Sequence, residues 1–301
     1  MGLIKNSINR KKYMSFFPDR MTTRKLFLIS TACVLSILAI AGTEFHVNHF
    51  SISGHTGKLM QAGFIPGSVN PVSVPDETLH IHFISGSREY KSEELLEKLK
   101  EIFEEDFRKI RITSSRGQDA GDDLPDIHKL AVADLMLVFT RRMTLPDDQL
   151  AYILKHVEDE KPVIGIRTAS HAFQDFLEMD AQVFGGDYDG HGDDEPVELS
   201  IAEGAEEHPI LNNVQLWDRM GKIYHNPDLG QNTEVLLFVE GLESNIYEPL
   251  AWTNKYGEAG RAFFTSMGLP ADFDNENFLQ LLFNAISWTT HGEMHRIQEN
   301  D

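Results

Sequence analysis

Four arginines, a glutamate, a serine and a histidine occupy three short stretches, each of which follows an apolar run. Arg88 and Glu89 lie in SGSRE, Arg141 and Arg142 in TRR, and Arg167, Ser170 and His171 in RTASH. A guanidinium grips carboxylate, phosphate or polyol oxygens through paired hydrogen bonds. An imidazole changes charge near neutral pH, so it can take up or give back a proton. These residue types suit an oxygen-rich ligand, oriented by Arg167 and Arg141, bound further by Arg88, Arg142 and Ser170, with His171 moving the proton. Each also has a plainer reading: Arg88, Arg141 and Arg142 pair with surface acids, Arg167 clamps a neighbouring loop, and His171 is hydrogen-bonded beneath a turn. Ser170 is a poor nucleophile candidate, because no His-Asp or His-Glu spacing in the chain forces a triad.

The third stretch, KPVIGIRTASHAF at 161–173, organises the rest. A buried-strand run at 162–166 stops abruptly at small and polar residues. A helical pattern is then expected, with Phe173, Phe176 and Leu177 on one apolar face. Such an elbow presents one side chain at its tip and aims the free N–H groups of the following helix at a ligand. Gly165 and Ala169 suit the close strand–helix packing of the turn. An elbow tip usually holds Ser or Cys; here it is Arg167, and the only cysteine, Cys33, lies far away in an apolar segment. Thiol catalysis at the elbow is therefore excluded by composition. A guanidinium cannot attack a carbonyl, but it can hold an anion or a polarised oxygen.

Strands are expected at 79–85, 110–113, 134–140 and 162–166, and helices at 92–107, 127–132 and 146–158. The nearly unbroken apolar run at 134–140 is the mark of a parallel strand buried on both faces. This alternation predicts a doubly wound, mostly parallel α/β sheet forming a single domain over 79–290. In such a sheet all three chemistry-bearing stretches follow strand carboxyl ends, where ligands collect. Beyond the elbow come a Gly- and Asp-rich loop at 183–195, short strands at 197–201, 235–239, 250–252 and 261–266, and a closing helix at 278–290. Residues 43–78 read as a linker and 291–301 as a polar tail.

Other candidates are weaker. Asp187 and Asp189, with Asp193, Asp194 and Glu195, offer hard oxygens that suit calcium or magnesium. The spacing is not that of an EF-hand, and a solvated acidic loop is the alternative. No cofactor is required by the sequence, although a divalent cation is compatible with it. His191, flanked by glycines, can close over the site. Trp252, near a strand end, can stack on a sugar face or fill the core. His80 and His82 share one face of the first strand, where a structural role is expected, and His208 caps a turn.

The chain of 301 residues has 41% hydrophobic and 25% charged residues and a formal net charge of −20. Seven of its 27 basic residues and one of its 47 acidic residues fall in the first 25, so the remainder carries −26. A body this acidic repels nucleic acid and anionic lipid. Residues 26–41 are apolar, preceded by the basic cluster and ended by Ala39-Ile40-Ala41. Residues 1–42 are thus expected to be a cleaved secretory signal, or else an uncleaved anchor, and the domain is expected to be exported to the periplasm or beyond the cell. In the second case the membrane is contacted through this segment alone. Met21 is an alternative start. A single cysteine gives no internal disulfide, and the oligomeric state is open.

The elbow VIGIRTASHAF, the loop GGDYDGH, then HPIL, EPLAWTNKYGEAGRAFFTSMG and FLQLLFNAISWTT resemble, in that order over 79–290, the ThuA-like (trehalose-utilisation) family. That family belongs to the class I glutamine amidotransferase-like superfamily. The resemblance implies a flavodoxin-like sheet and a role in carbohydrate, including keto-sugar, metabolism. The superfamily's Gly-x-Cys-x-Gly elbow stands here as Gly165-Ile166-Arg167-Thr168-Ala169, so amidotransferase activity is not expected. Its late His-Pro-Glu has no clear counterpart. Many relatives carry a histidine after the final-strand glycine; here Gly268 is followed by Leu269 and Pro270. The leading expectation is a sugar hydrolase or isomerase. A non-catalytic sugar-binding or assembly module and a metal-dependent hydrolase are the alternatives.

Overall fold

The computed structural model describes residues 78–107 and 109–292; the expected signal or anchor, most of the expected linker and the end of the tail lie outside them. Its strands are β1 (Leu79–Gly86), β2 (Ile110–Arg116), β3 (Leu135–Thr140), β4 (Val163–Ile166), β5 (His191–Ile201), β6 (Arg219–Tyr224), β7 (Thr233–Gly241), β8 (Tyr247–Tyr256) and β9 (Gly260–Thr265). Its α-helices are α1 (Ser92–Asp106), α2 (Asp147–Glu158) and α3 (Glu276–Thr290). All strands form one sheet in the order β2-β1-β3-β4-β9-β8-β7-β5-β6. The ladders from β2 to β9 are parallel, and those from β9 to β6 are antiparallel. The sheet is therefore mixed, with its parallel half first in the chain.

Burial explains the parallel half. Every residue of β3 and β4 is buried, because helices cover both sides of these strands. On one face Ile81, Phe83, Leu137, Phe139 and Ile166 pack under α1 and α3, which meet through Phe103 and Phe283 with ring centres 4.8 Å apart. On the other face Met136, Val138, Val163 and Phe264 pack beneath Leu150, Ile153 and Val157 of α2. His80 and His82 are structural, as expected: His80 Nε2 and His82 Nδ1 both bond the Thr113 hydroxyl, at 2.8 and 2.7 Å.

Three expectations are corrected. No α-helix follows the elbow. Residues Arg167–His171 form a 3-10 turn, after which the backbone bonds outward: Met143 N–H donates to Ala172 O, and Gln174 N–H donates to Met143 O. Those tertiary bonds replace helical ones, so Leu177 is left 51% exposed instead of joining Phe173 and Phe176 inside. The elbow consequently offers no helix N-terminus to a ligand. The expected loop at 183–195 is shorter: only 185–190 are irregular, between a π turn, Asp180–Phe184, and the start of β5. Strand β6 was not anticipated at all.

Gly165 is where the core on the α2 side of the sheet leaves no room. A methyl group there would lie 2.6 Å from Phe184 Cζ and 2.9 Å from Phe264 Cδ2. Gly165→Ala is therefore expected to destabilise the domain by about 1–3 kcal/mol, the usual cost of overpacking. Urea unfolding followed by circular dichroism should show a lower midpoint at unchanged slope.

Candidate functional site

Three loops leave the carboxyl ends of β1, β3 and β4; the last two are tied together through the backbone, and the first is joined to them by an ion pair. After β1, the Gly86 and Ser87 N–H groups both donate to Ser92 Oγ, at 3.0 and 2.8 Å, which bends the chain and sets out Arg88, Glu89 and Tyr90. After β3, Arg142 adopts a left-handed φ of 52°, and its N–H donates to His171 O at 2.9 Å. The elbow and the Arg141–Arg142 turn are thereby held as one unit. Arg141 reaches back across it to an ion pair with Glu89, and its guanidinium is 3.5 Å from Asp119.

The antiparallel half supplies the remaining side chains. Lys222 of β6 stands 3.9 Å from Glu89. The loop before β5 is anchored by Asp180, whose Oδ2 accepts from Tyr188 N–H at 2.9 Å. This places the Tyr188 ring against His171, centres 4.7 Å apart and nearly parallel. Tyr188 in turn lies 4.7 Å from Tyr224, which stacks with His191 at 5.9 Å. Glu89, Arg141 and Lys222 thus form a charged patch, and His171, Tyr188, Tyr224 and His191 form a wall of rings.

Arg167, at the elbow tip, is wholly buried and has a left-handed φ of 49°. Its Cζ lies 4.4 Å from the centre of the Tyr90 ring and 4.9 Å from that of Tyr224. Nη1 donates to Ser266 O at 2.7 Å, which ties β4 to the end of β9. Nε and Nη2 have no protein partner.

His171 is neutral at physiological pH. Its pKa is lowered from 6.5 to about 4, first by burial and then by Arg142, Arg141, His191 and Arg167. Ser170 Oγ lies 3.0 Å from His171 Nδ1 and donates to Arg167 O at 3.5 Å. Burial pushes the Glu89 carboxyl up, but the Tyr90 side chain, Arg141 and Lys222 outweigh it and hold it ionised below the usual range. Burial pushes Asp180 up to about 6.

Among the residues singled out from the sequence, Arg141, Arg142, Arg167, Ser170, His171 and His191 come together here. Arg88 is on the same loop as Glu89 and is exposed. Trp252 does not belong to the site: it is fully buried in β8, its indole N–H donates to Phe184 O at 2.8 Å, and its ring packs on Phe264. The core claims it because it sits mid-strand, with no face left for a sugar. Asp187 and Asp189 are exposed, and no group of three or more His, Cys, Asp or Glu among the described residues is arranged to hold a metal ion. Tyr90, Tyr188, Lys222 and Tyr224 were missed. The signal for the last two was the alternation in RMGKIY, too short to stand out as a strand; Tyr188 lay in view within GGDYDGH.

Residues 82–289 match a family described as trehalose utilisation (ThuA). No curated protein matches the chain. A ThuA-like protein of Bacteroides uniformis ATCC 8492 is similar in structure, with 17% identity and a TM-score of 0.54 over 74% of this chain and 94% of that one. A ThuA-like protein of Parabacteroides merdae ATCC 43184 gives 16% identity and 0.54 over 75% and 94%. At such identities the likeness establishes the fold.

Two outcomes follow from His171. Between pH 6.5 and about 4 the unfolded chain takes up a proton on this ring that the folded chain refuses, so stability falls as the pH falls through that window. His82 and His156, also held down to about 4 by burial, act in the same direction. His171→Gln should therefore flatten, but not abolish, the dependence of the urea midpoint on pH. In an NMR titration of ring signals, Arg142→Ala should raise the His171 pKa; an unchanged value would show that Arg142 does not face the ring.

Proposed function

From its place in the trehalose-utilisation (ThuA) family, to which the chain belongs, we propose that this is an exported protein that binds and processes a carbohydrate or keto-sugar derivative. The single observation that carries the reading is the pairing of a ring wall with a charged patch at one end of the parallel strands. Sugars present apolar C–H faces and rows of hydroxyls. Tyr188, His171 and His191 offer partly exposed rings for the first, with buried Tyr224 packed behind them. Arg141, Lys222 and Glu89 offer donors and an acceptor for the second. The parallel half, in the order β2-β1-β3-β4-β9, is in this reading a flavodoxin-like, doubly wound sheet with its ligand at the strand carboxyl ends.

The His171 imidazole is the group that would move a proton, to or from a carbon beside a keto group or a hydroxyl oxygen. Nearby cations would stabilise the oxyanion that such a proton transfer creates. Its low pKa makes it a weak base in the free protein, and an incoming anionic or enolate oxygen would strengthen it. The same low pKa favours a second reading, a sugar-binding module without turnover. Amidotransferase chemistry is not proposed, because the elbow tip is Arg167.

The test is thermal melting and calorimetry of the full chain with disaccharides, keto-sugars and sugar acids, followed by product analysis. A ligand that binds only the folded state raises the melting midpoint. Binding by the wild type is expected, with turnover lost by 10²-fold or more in His171→Gln while affinity is kept. Binding without turnover in the wild type selects the module. No shift with any sugar would remove the carbohydrate reading.

A further inference from the structure

The guanidinium of Arg167 has one edge spoken for and one edge free. Nη1 is used on the Ser266 carbonyl, while Nε and Nη2 have no protein partner, although the side chain is completely buried. Burying a cation with two unbonded N–H groups is costly unless something answers them. Among the described residues no carboxylate lies within ion-pair distance of Arg167. The nearest candidate, Glu89, feels its charge but is already held by Arg141 and lies beside Lys222.

The molecule shows elsewhere what this edge is for. Arg219 uses the same two atoms, Nε and Nη2, to hold both oxygens of Asp272, at 2.9 and 2.8 Å, in a part-buried setting. The Asp272 carboxylate also accepts from the N–H groups of Gly268 and Leu269, both at 2.8 Å. One arginine of the pair therefore has its carboxylate in the chain and the other lacks it. Arg167 sits among the residues of the candidate site: Tyr90 and Tyr224 lie over it, and its charge acts on Glu89, His171 and Tyr188. Arg141, Arg142 and Lys222 add positive charge to that end of an otherwise acidic protein.

We propose that the Nε–Nη2 edge of Arg167 is the seat for a ligand carboxylate, so that the sugar handled here is a sugar acid. The inference rests on the carbohydrate reading above for the sugar and on Arg167 alone for the acid. The bond pattern is side-on, with one oxygen on each nitrogen, as at Asp272. Tyr90 and Tyr224 cover the guanidinium, so one of them must swing aside for the carboxylate to enter. The ring that stays keeps its contact with the cation.

Calorimetric titration of the full chain at low salt tests this with D-glucuronate, D-galacturonate and D-gluconate beside glucose, galactose and glucitol, with the methyl ester of glucuronate and with acetate. The acids are expected to bind roughly 10–100-fold tighter than their neutral counterparts, the worth of a charge-assisted pair of bonds. Esterification should remove that advantage in the unaltered protein, with no reliance on any variant. Arg167→Lys keeps the charge but not the two-pronged edge, and it should lose tenfold or more for the acids relative to any change in the neutral sugars. Equal binding of acids, ester and neutral sugars would overturn the carboxylate seat and leave the carbohydrate reading standing. Acetate bound as tightly as the sugar acids, with no neutral sugar bound, would keep the seat and remove the sugar. Undiminished acid affinity in a folded Arg167→Lys would show that the edge is unused, and silence of every probe would overturn both.

Discussion

A positive charge buried at the tip of the elbow constrains everything around the strand ends. Arg167 has left water entirely, holds a backbone conformation that costs a non-glycine residue about 1–3 kcal/mol, and bonds one carbonyl. Two aromatic faces return about 0.5–2 kcal/mol each. That sum does not cover the desolvation of a guanidinium, for which several kcal/mol is the usual scale. The domain tolerates the deficit because two well-packed cores lie directly beneath it. It also explains the arrangement of the neighbours: Tyr90 and Tyr224 are placed as faces towards the cation, and Glu89 is positioned where it lowers the local potential without neutralising Arg167.

The same charge reaches the imidazole. His171 is stacked on Tyr188 and sits among Arg142, Arg141 and Arg167, so the ring has no reason to be protonated near neutral pH. A neutral imidazole in a positive field is a poor base towards water and a better one towards anything that brings negative charge with it. A proton transfer at this ring would be coupled to binding through electrostatics, with no motion of the histidine required.

Much of this was legible in the sequence, and the divisions are physical. Strands β1, β3 and β4 announce themselves because burial on both faces demands unbroken apolar runs, and α1, α2 and α3 because a half-buried helix repeats its apolar residues every three or four positions. Those elements alone place Arg88, Arg141 and Arg167 at one end of the sheet. Tertiary hydrogen bonding was not legible. The elbow helix fails because Met143 competes successfully for the backbone of 172–174, which no local pattern reveals. Strand β6 hides because a short edge strand buries only three residues, Gly221, Ile223 and Tyr224. Trp252 misleads because proximity to a strand end in sequence says nothing about the π turn that comes to cover it.

A left-handed backbone at the tip of a buried turn costs free energy that a relaxed turn with a small residue there would not. Here the left-handed tip carries the largest cationic side chain, turned under two rings and bonded to the end of the adjacent strand. Stability alone does not account for that combination, because an apolar residue of similar volume would fill the space at less electrostatic cost. The strain makes sense if the tip presents a group that holds something.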